Sequence, residues 1–121
     1  SPSTVLTASY EYVGVGYLVT NGAYYDSIRF EEGMTANACA VKCNECVAGN
    51  VSGGSFRGFS LEGDNTCYCN FDSNAVYTEN GSNGSCTEGY EIDYWSGVGP
   101  VTGSSLEGFE GASVVSYKIK A

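Results

Sequence analysis

The sequence predicts an α+β domain: an antiparallel sheet with one helix packed on it and cross-linked to it by disulfides. Three observations carry that expectation. Residues 6–30 alternate with a period of two around an Asn21-Gly22 pair, residues 36–48 hold neither Gly nor Pro behind Thr35, and the cysteines fall at spacings that suit a helix and a strand.

The alternation begins with Leu6, Ala8, Tyr10 and Tyr12 on even positions and continues with Val13, Val15, Tyr17 and Val19 on odd ones. A slip of one residue moves every side chain to the opposite face, so a bulge or a strand break is expected near Tyr12. Asn21-Gly22 tolerates the positive φ angles of a tight hairpin turn, after which Tyr24, Ile28 and Phe30 resume an even face.

Thr35 can accept a hydrogen bond from the amides ahead of it, and Gly49 closes the helix that runs from Ala36 to Ala48. Cys39, Cys43 and Cys46 lie four and three residues apart, so their sulfurs leave one face of that helix. Cys67 and Cys69, two apart, share one face of a strand within Phe56 to Phe71, and Cys86 follows in a Gly/Ser/Asn loop. The helix is expected to bond to the strand, with Cys86 left for the third helix cysteine, although six cysteines allow fifteen pairings. Residues 97–111, rich in Gly and Ser around Pro100, predict a loop or meander. Val115, Tyr117 and Ile119 then alternate with Ser116, Lys118 and Lys120, which predicts a half-buried last strand with its charged face in water.

The 121 residues suit one domain spanning 1–121, with residues 1–9 as an extended N-terminal arm. Six cysteines and no histidine point to disulfides made in an oxidising, extracellular compartment, not to metal ligands. A chain that opens at Ser1 reads as a processed secretory product, and Asn50, Asn80 and Asn83 each begin an N-glycosylation sequon whose alternative is a Gly-rich turn. Fourteen acidic residues against five basic ones, a net charge of −9, argue against nucleic acid, and no apolar run approaches the roughly 20 residues that cross a bilayer.

Without histidine there is no Ser-His or Cys-His nucleophile, and bridged cysteines leave no thiolate. Three carboxylate pairs (Glu31 with Glu32, Glu62 with Asp64, Glu91 with Asp93) could in principle serve glycoside hydrolysis, but a small loop-rich domain is expected to offer no deep cleft for it. Asp64, Asn65, Asp72 and Asn74 bring oxygen ligands of the calcium type without any known loop spacing, so they read as turn formers. The chain is therefore expected to be non-catalytic, with no cofactor and no metal. Tyr90, Tyr94 and Trp95, beside Glu91 and Asp93, combine flat apolar faces with carboxylates and are the candidate glycan contacts; the competing reading makes Trp95 the core tryptophan. The ten tyrosines suit interfaces and strands equally.

The run Cys39-x3-Cys43, then Phe56-Arg57-Gly58-Phe59-Ser60 and Cys67-Tyr68-Cys69, resembles the PAN/apple superfamily, and most closely the PAN-like modules of diatom-type secreted proteins. Further resemblance lies in Gly16-Tyr17, Tyr24-Tyr25-Asp26, Cys69-Asn70-Phe71-Asp72, Gly99-Pro100-Val101 and Ser116-Tyr117-Lys118, and it spans about residues 10–119. It implies a curved antiparallel sheet tied by disulfides to a helix, and binding of proteins or carbohydrates. Leu18 and Ser116 stand where a disulfide often joins the first and last strands in such modules, which leaves the terminal strands unstapled. Two functions are thus expected. One is a structural or self-assembling subunit of an extracellular fibre, coat or adhesive, bound to itself or to other extracellular proteins through an N-terminal strand containing Val5, Leu6, Tyr10 and Tyr12. The other is a soluble carbohydrate-binding or receptor-type module.

Overall fold

The structure is a computed structural model that describes residues 8–79, 86 and 91–120. Val5, Leu6, Asn80, Asn83 and Tyr90 lie outside the described residues. The strands are β1 (Tyr10–Val15), β2 (Tyr17–Thr20), β3 (Ala23–Tyr24), β4 (Asp26–Arg29), β5 (Val51–Ser52), β6 (Phe56–Glu62), β7 (Thr66–Phe71), β8 (Val76–Tyr77), β9 (Glu91–Asp93), β10 (Gly103–Ser105) and β11 (Val114–Ile119). Between β4 and β5 lies one α-helix, α1 (Ala36–Cys43), which continues as a π-helical turn, Asn44–Ala48. The mostly antiparallel sheet, the helix and the disulfides make the α+β class expected from the sequence.

Six strands form the main sheet in the order β1-β11-β6-β7-β4-β9, and β10-β2-β3 form a smaller one. The period slip near Tyr12 is a bulge: Tyr12 faces Tyr117 and Gly14 faces Ser116, which leaves Val13 unpaired on β1. The strand starts at Tyr10, and Ala8 and Ser9 are helical. At Gly16 the chain turns out of the main sheet into the small one. A Cβ there would stand 2.4 Å from the Ser105 carbonyl oxygen, and the φ of +107° also favours glycine. Asn21 and Gly22, at φ of 49° and 87°, make the tight turn between β2 and β3.

Helix α1 starts where the Thr35 hydroxyl accepts from the Ala38 amide at 3.0 Å. Its face of Cys39, Ala40, Cys43, Cys46 and Val47 is buried against Ile28, Phe59, Leu61, Cys67, Cys69 and Phe71. The disulfides are Cys39–Cys67, Cys43–Cys69 and Cys46–Cys86, so the helix cysteines do reach the cysteine strand and the third takes Cys86. Tyr10 closes the same core edge-on to Phe59 at 4.9 Å, and its hydroxyl bonds Asn44 at 2.6 Å. Burial holds that hydroxyl far above the ordinary tyrosine range.

The opposite face of the main sheet is covered too, by the β10-β2-β3 sheet, and this corrects the expectation for the last strand. Ser116 is fully buried, not in water. It donates to the Gly16 carbonyl at 2.5 Å, while Ser60 stands 2.6 Å away and accepts from the Asn70 side-chain amide at 3.2 Å. These bonds satisfy the polar atoms of a strip that would otherwise be costly to bury. Residues 97–111, expected as loop or meander, include β10, whose Gly103, Ser104 and Ser105 pair with Val19, Leu18 and Tyr17.

Each disulfide closes a loop of 26 to 40 residues. In the chain-entropy model such a loop contributes about 3.5 to 4 kcal/mol. Replacing Cys46 and Cys86 together by serine should lower unfolding stability by about 3 kcal/mol in a urea titration and leave the far-ultraviolet circular dichroism of the native state unchanged. A loss under 1 kcal/mol would show that the bridge does not restrain the unfolded chain.

Candidate functional site

Alternation along β4, β6 and β7 sends Ile28, Phe59, Leu61, Cys67 and Cys69 to the helix side and Ser27, Glu62, Tyr68 and Asn70 to the other. On that second face a cleft of about 170 Å³ opens between the two sheets. Ser27, Glu62, Tyr68, Asn70 and Asp93 come from the main sheet, while Tyr17, Leu18 and Tyr24 come from the small one. Tyr25, Trp95 and Phe109 complete the lining.

The aromatic walls meet edge to face. Tyr17 lies 5.0 Å from Phe109, Tyr24 lies 5.5 Å from Trp95, and Trp95 lies 5.8 Å from Phe109, with interplanar angles of 64° to 72°. Tyr17 and Tyr68 also stand perpendicular, 6.0 Å apart. Both of their hydroxyls donate to one carboxylate, Tyr17 to Oε2 of Glu62 at 3.0 Å and Tyr68 to Oε1 at 2.6 Å. Burial, together with the negative charge of Glu62, holds both phenols far above their usual range.

The loop that brings Trp95 to the cleft is tied by buried carboxylates. Asp26, 2% exposed, accepts from the Trp95 amide at 2.6 Å and from the Ser73 hydroxyl at 2.8 Å. Asp72, 3% exposed, takes both the Nε and an Nη of Arg57, and accepts from the Ser55 and Gly99 amides at 2.9 and 3.2 Å. A bulge in β6, where the pairing skips Arg57, aims that guanidinium at Asp72. The Tyr25 hydroxyl holds the same segment through the Gly99 carbonyl at 2.5 Å, and the Tyr24 hydroxyl holds the turn before Phe109 through the Glu107 carbonyl at 2.5 Å.

Trp95 is 48% exposed and lines the cleft, so it is not the core tryptophan; the core is filled by Tyr10, Phe30, Phe56, Phe59 and Phe71. Tyr94, 75% exposed, does not line the cleft with it. Where no deep cleft was expected, the two facing layers leave a gap of about 170 Å³ that neither would show alone. Glu62 and Asp93, drawn from different sequence pairs, share it, whereas Glu91 pairs with Arg29 at its border. The oxygen ligands Asp64, Asn65, Asp72 and Asn74 do not converge. Asp64 accepts from the Thr66 hydroxyl at one end of β7 while Asp72 grips Arg57 at the other, about 20 Å away along six residues. Cys39, Cys43 and Cys67 have sulfurs within 4.8 Å of one another, but each is spent in a disulfide. Asn50 is half-buried at the end of the π turn, where its amide donates to the Cys46 carbonyl at 2.8 Å.

Sequence reading missed Tyr17, Tyr24, Glu62, Tyr68 and Phe109 as members of one site. The legible signal was Phe109, a lone aromatic in a Gly/Ser-rich stretch that would pay to expose it. The chain matches no family model, no curated protein and no solved structure. What fold and site define is a disulfide-linked α+β module with an aromatic, acidic cleft, and its three disulfides belong to an oxidising, extracellular-type environment. Among the described residues no helix is long and apolar enough to cross a membrane.

Burial pushes the Asp72 carboxyl up, but the Arg57 guanidinium and the Ser55 and Gly99 amides outweigh it and hold it below its ordinary value of 3.8. A depressed folded-state pKa stabilises the fold above that ordinary value and loses the contribution as pH falls through the folded one. Asp72→Asn should therefore cost about 3 kcal/mol at neutral pH and make the acid side of the stability profile shallower below about pH 4. Parallel acid limbs for the two proteins would show that Asp72 is not the group responsible.

Proposed function

We propose that the chain is a secreted, non-catalytic, PAN/apple-like module that serves as a subunit of an extracellular fibre, coat or adhesive, joined to itself or to other extracellular proteins. The observation that carries this reading is the open main sheet, whose edge strands β1 and β9 lie at opposite ends of the strand order. Each is bordered by exposed apolar side chains, Tyr12 at 55% and Val15 at 57% on β1, and Tyr94 and Trp95 directly after β9. Two different edges that complement each other make a head-to-tail contact, and such a contact propagates into a filament unless its rotation closes a ring.

β9 is short and β1 is interrupted by its bulge, so the contact would draw on these aromatic side chains more than on a long ladder of backbone bonds. The terminal strands support the same reading. β1 and β11 pair along their length, and where the disulfide common in PAN/apple modules would stand, Leu18 of β2 and Ser116 of β11 are buried in packing and hydrogen bonds. Glycosylation of Asn50 would suit a secreted coat, and replacing one amide hydrogen by a glycan leaves the other for the Cys46 carbonyl. The non-catalytic part rests on Glu62, both of whose oxygens accept tyrosine hydroxyls.

A second reading, a soluble module that recognises carbohydrate or another ligand, draws on the cleft beside Trp95. Negative-stain electron microscopy separates the two. Wild-type protein at tens of micromolar should form filaments, and Tyr12→Lys with Val15→Lys should leave folded monomers with an unchanged circular dichroism spectrum. Monomers of the wild-type chain at every concentration tested would overturn the assembly reading and leave the recognition one.

A further inference from the structure

The cleft between the two sheets has a chemistry that the assembly reading does not use. Its lining holds two carboxylates, Glu62 and Asp93, and no lysine or arginine among the described residues. Of the two guanidinium groups beside it, Arg29 is paired with Glu91 and touches Tyr68 from the border, and Arg57 is paired with Asp72 behind Tyr25. The walls are tyrosine, tryptophan and phenylalanine rings set nearly at right angles, so that ring faces as well as edges bound one space. An aromatic face carries a negative quadrupole and attracts a cation placed over it.

The hydrogen-bonding capacity points the same way. Tyr17 and Tyr68 have committed their protons to Glu62, Tyr24 to the Glu107 carbonyl, Tyr25 to the Gly99 carbonyl and the Asn70 amide to Ser60. The Ser27 hydroxyl, the Trp95 indole and the second Asn70 N–H are the donors left in the lining, against acceptor capacity concentrated on the two carboxylates. Two carboxylates with no cation in the lining, set among ring faces, favour an ammonium group over a neutral polyol. At about 170 Å³ the space is below the range of drug-sized ligand pockets, and it suits one head group or one side chain.

We propose that this cleft binds an alkylammonium group, held over Trp95, Phe109 and Tyr24 and charge-paired with Glu62 and Asp93. The group could arrive on a small quaternary amine or on a lysine side chain of another protein molecule, and the same cage recognises either. The proposal does not depend on whether the chain polymerises.

Trp95 is the only tryptophan in the sequence and lines the cleft, so its fluorescence reports occupancy directly. The full chain is titrated at constant ionic strength with choline chloride, with N-acetyl-lysine methylamide and with methyl glucoside, sodium chloride serving as the blank. Both amines should shift Trp95 emission saturably, and the sugar should not. The amine with the lower half-saturation identifies the source, small quaternary amine or lysine side chain. Asp93→Asn, at an exposed strand position, should raise the half-saturation concentration about fivefold, and Phe109→Ala about tenfold, in the range of single cation–π and charge contacts. A thermal melt of each variant checks that it is folded. No emission change with either amine, an equal response to the sugar, or an amine response that folded Asp93→Asn and Phe109→Ala leave unaltered would each overturn the proposal.

Discussion

Everything in this molecule depends on the pair of disulfides that pins one helix to one hairpin, Cys39 to Cys67 and Cys43 to Cys69. The helix has only eight α-helical residues before its π turn, too few to be stable in water alone. Spacings of four along the helix and two along the strand put the sulfurs opposite each other, and the bonds turn a marginal helix into one wall of the core. With that wall fixed, Phe59 and Phe71 of the hairpin and Ile28 of β4 have a dry face to pack against, and Tyr10 is drawn in from the edge strand by Phe59.

The second layer is organised differently, by polar groups more than by apolar ones. Gly16 lets the chain leave the main sheet and lie back across it, and the Ser116, Ser60 and Asn70 strip meets it with hydrogen bonds. Two buried carboxylates, Asp26 and Asp72, then fasten the loops that carry Trp95 and Gly99. Buried ionic groups of this kind contribute little net stability when paired but are costly to leave unpaired, so they specify one arrangement of the loops. The cleft exists because the second layer stands on this polar scaffold without closing down fully over Glu62 and Asp93.

Assembly and ligand binding draw on parts of one architecture that overlap at Trp95. The first uses edges, which an open six-stranded sheet cannot avoid having. The second uses the gap between layers, and Trp95 belongs to both, since it follows the β9 edge and lines the cleft.

The sequence by itself determined the local elements: the Asn21-Gly22 turn, the bulge after Tyr12, the Thr35-capped helix and the outline of which cysteines meet. These follow from φ preferences, capping and residue spacing, which act over a few positions. Only the tertiary structure decided which face of β11 is buried, that Trp95 stands at a cleft and not in the core, and that Glu62 and Asp93 share one space. Alternation in β11 suggested one wet face because a period of two cannot reveal a second layer, and Ser116 is buried by strands a hundred residues earlier in the chain. The site is likewise built from β2, β3, β4, β6, β7, β9 and the segments that carry Tyr25, Trp95 and Phe109, and the strand registers are set by long-range pairing. No spacing along a chain encodes that convergence.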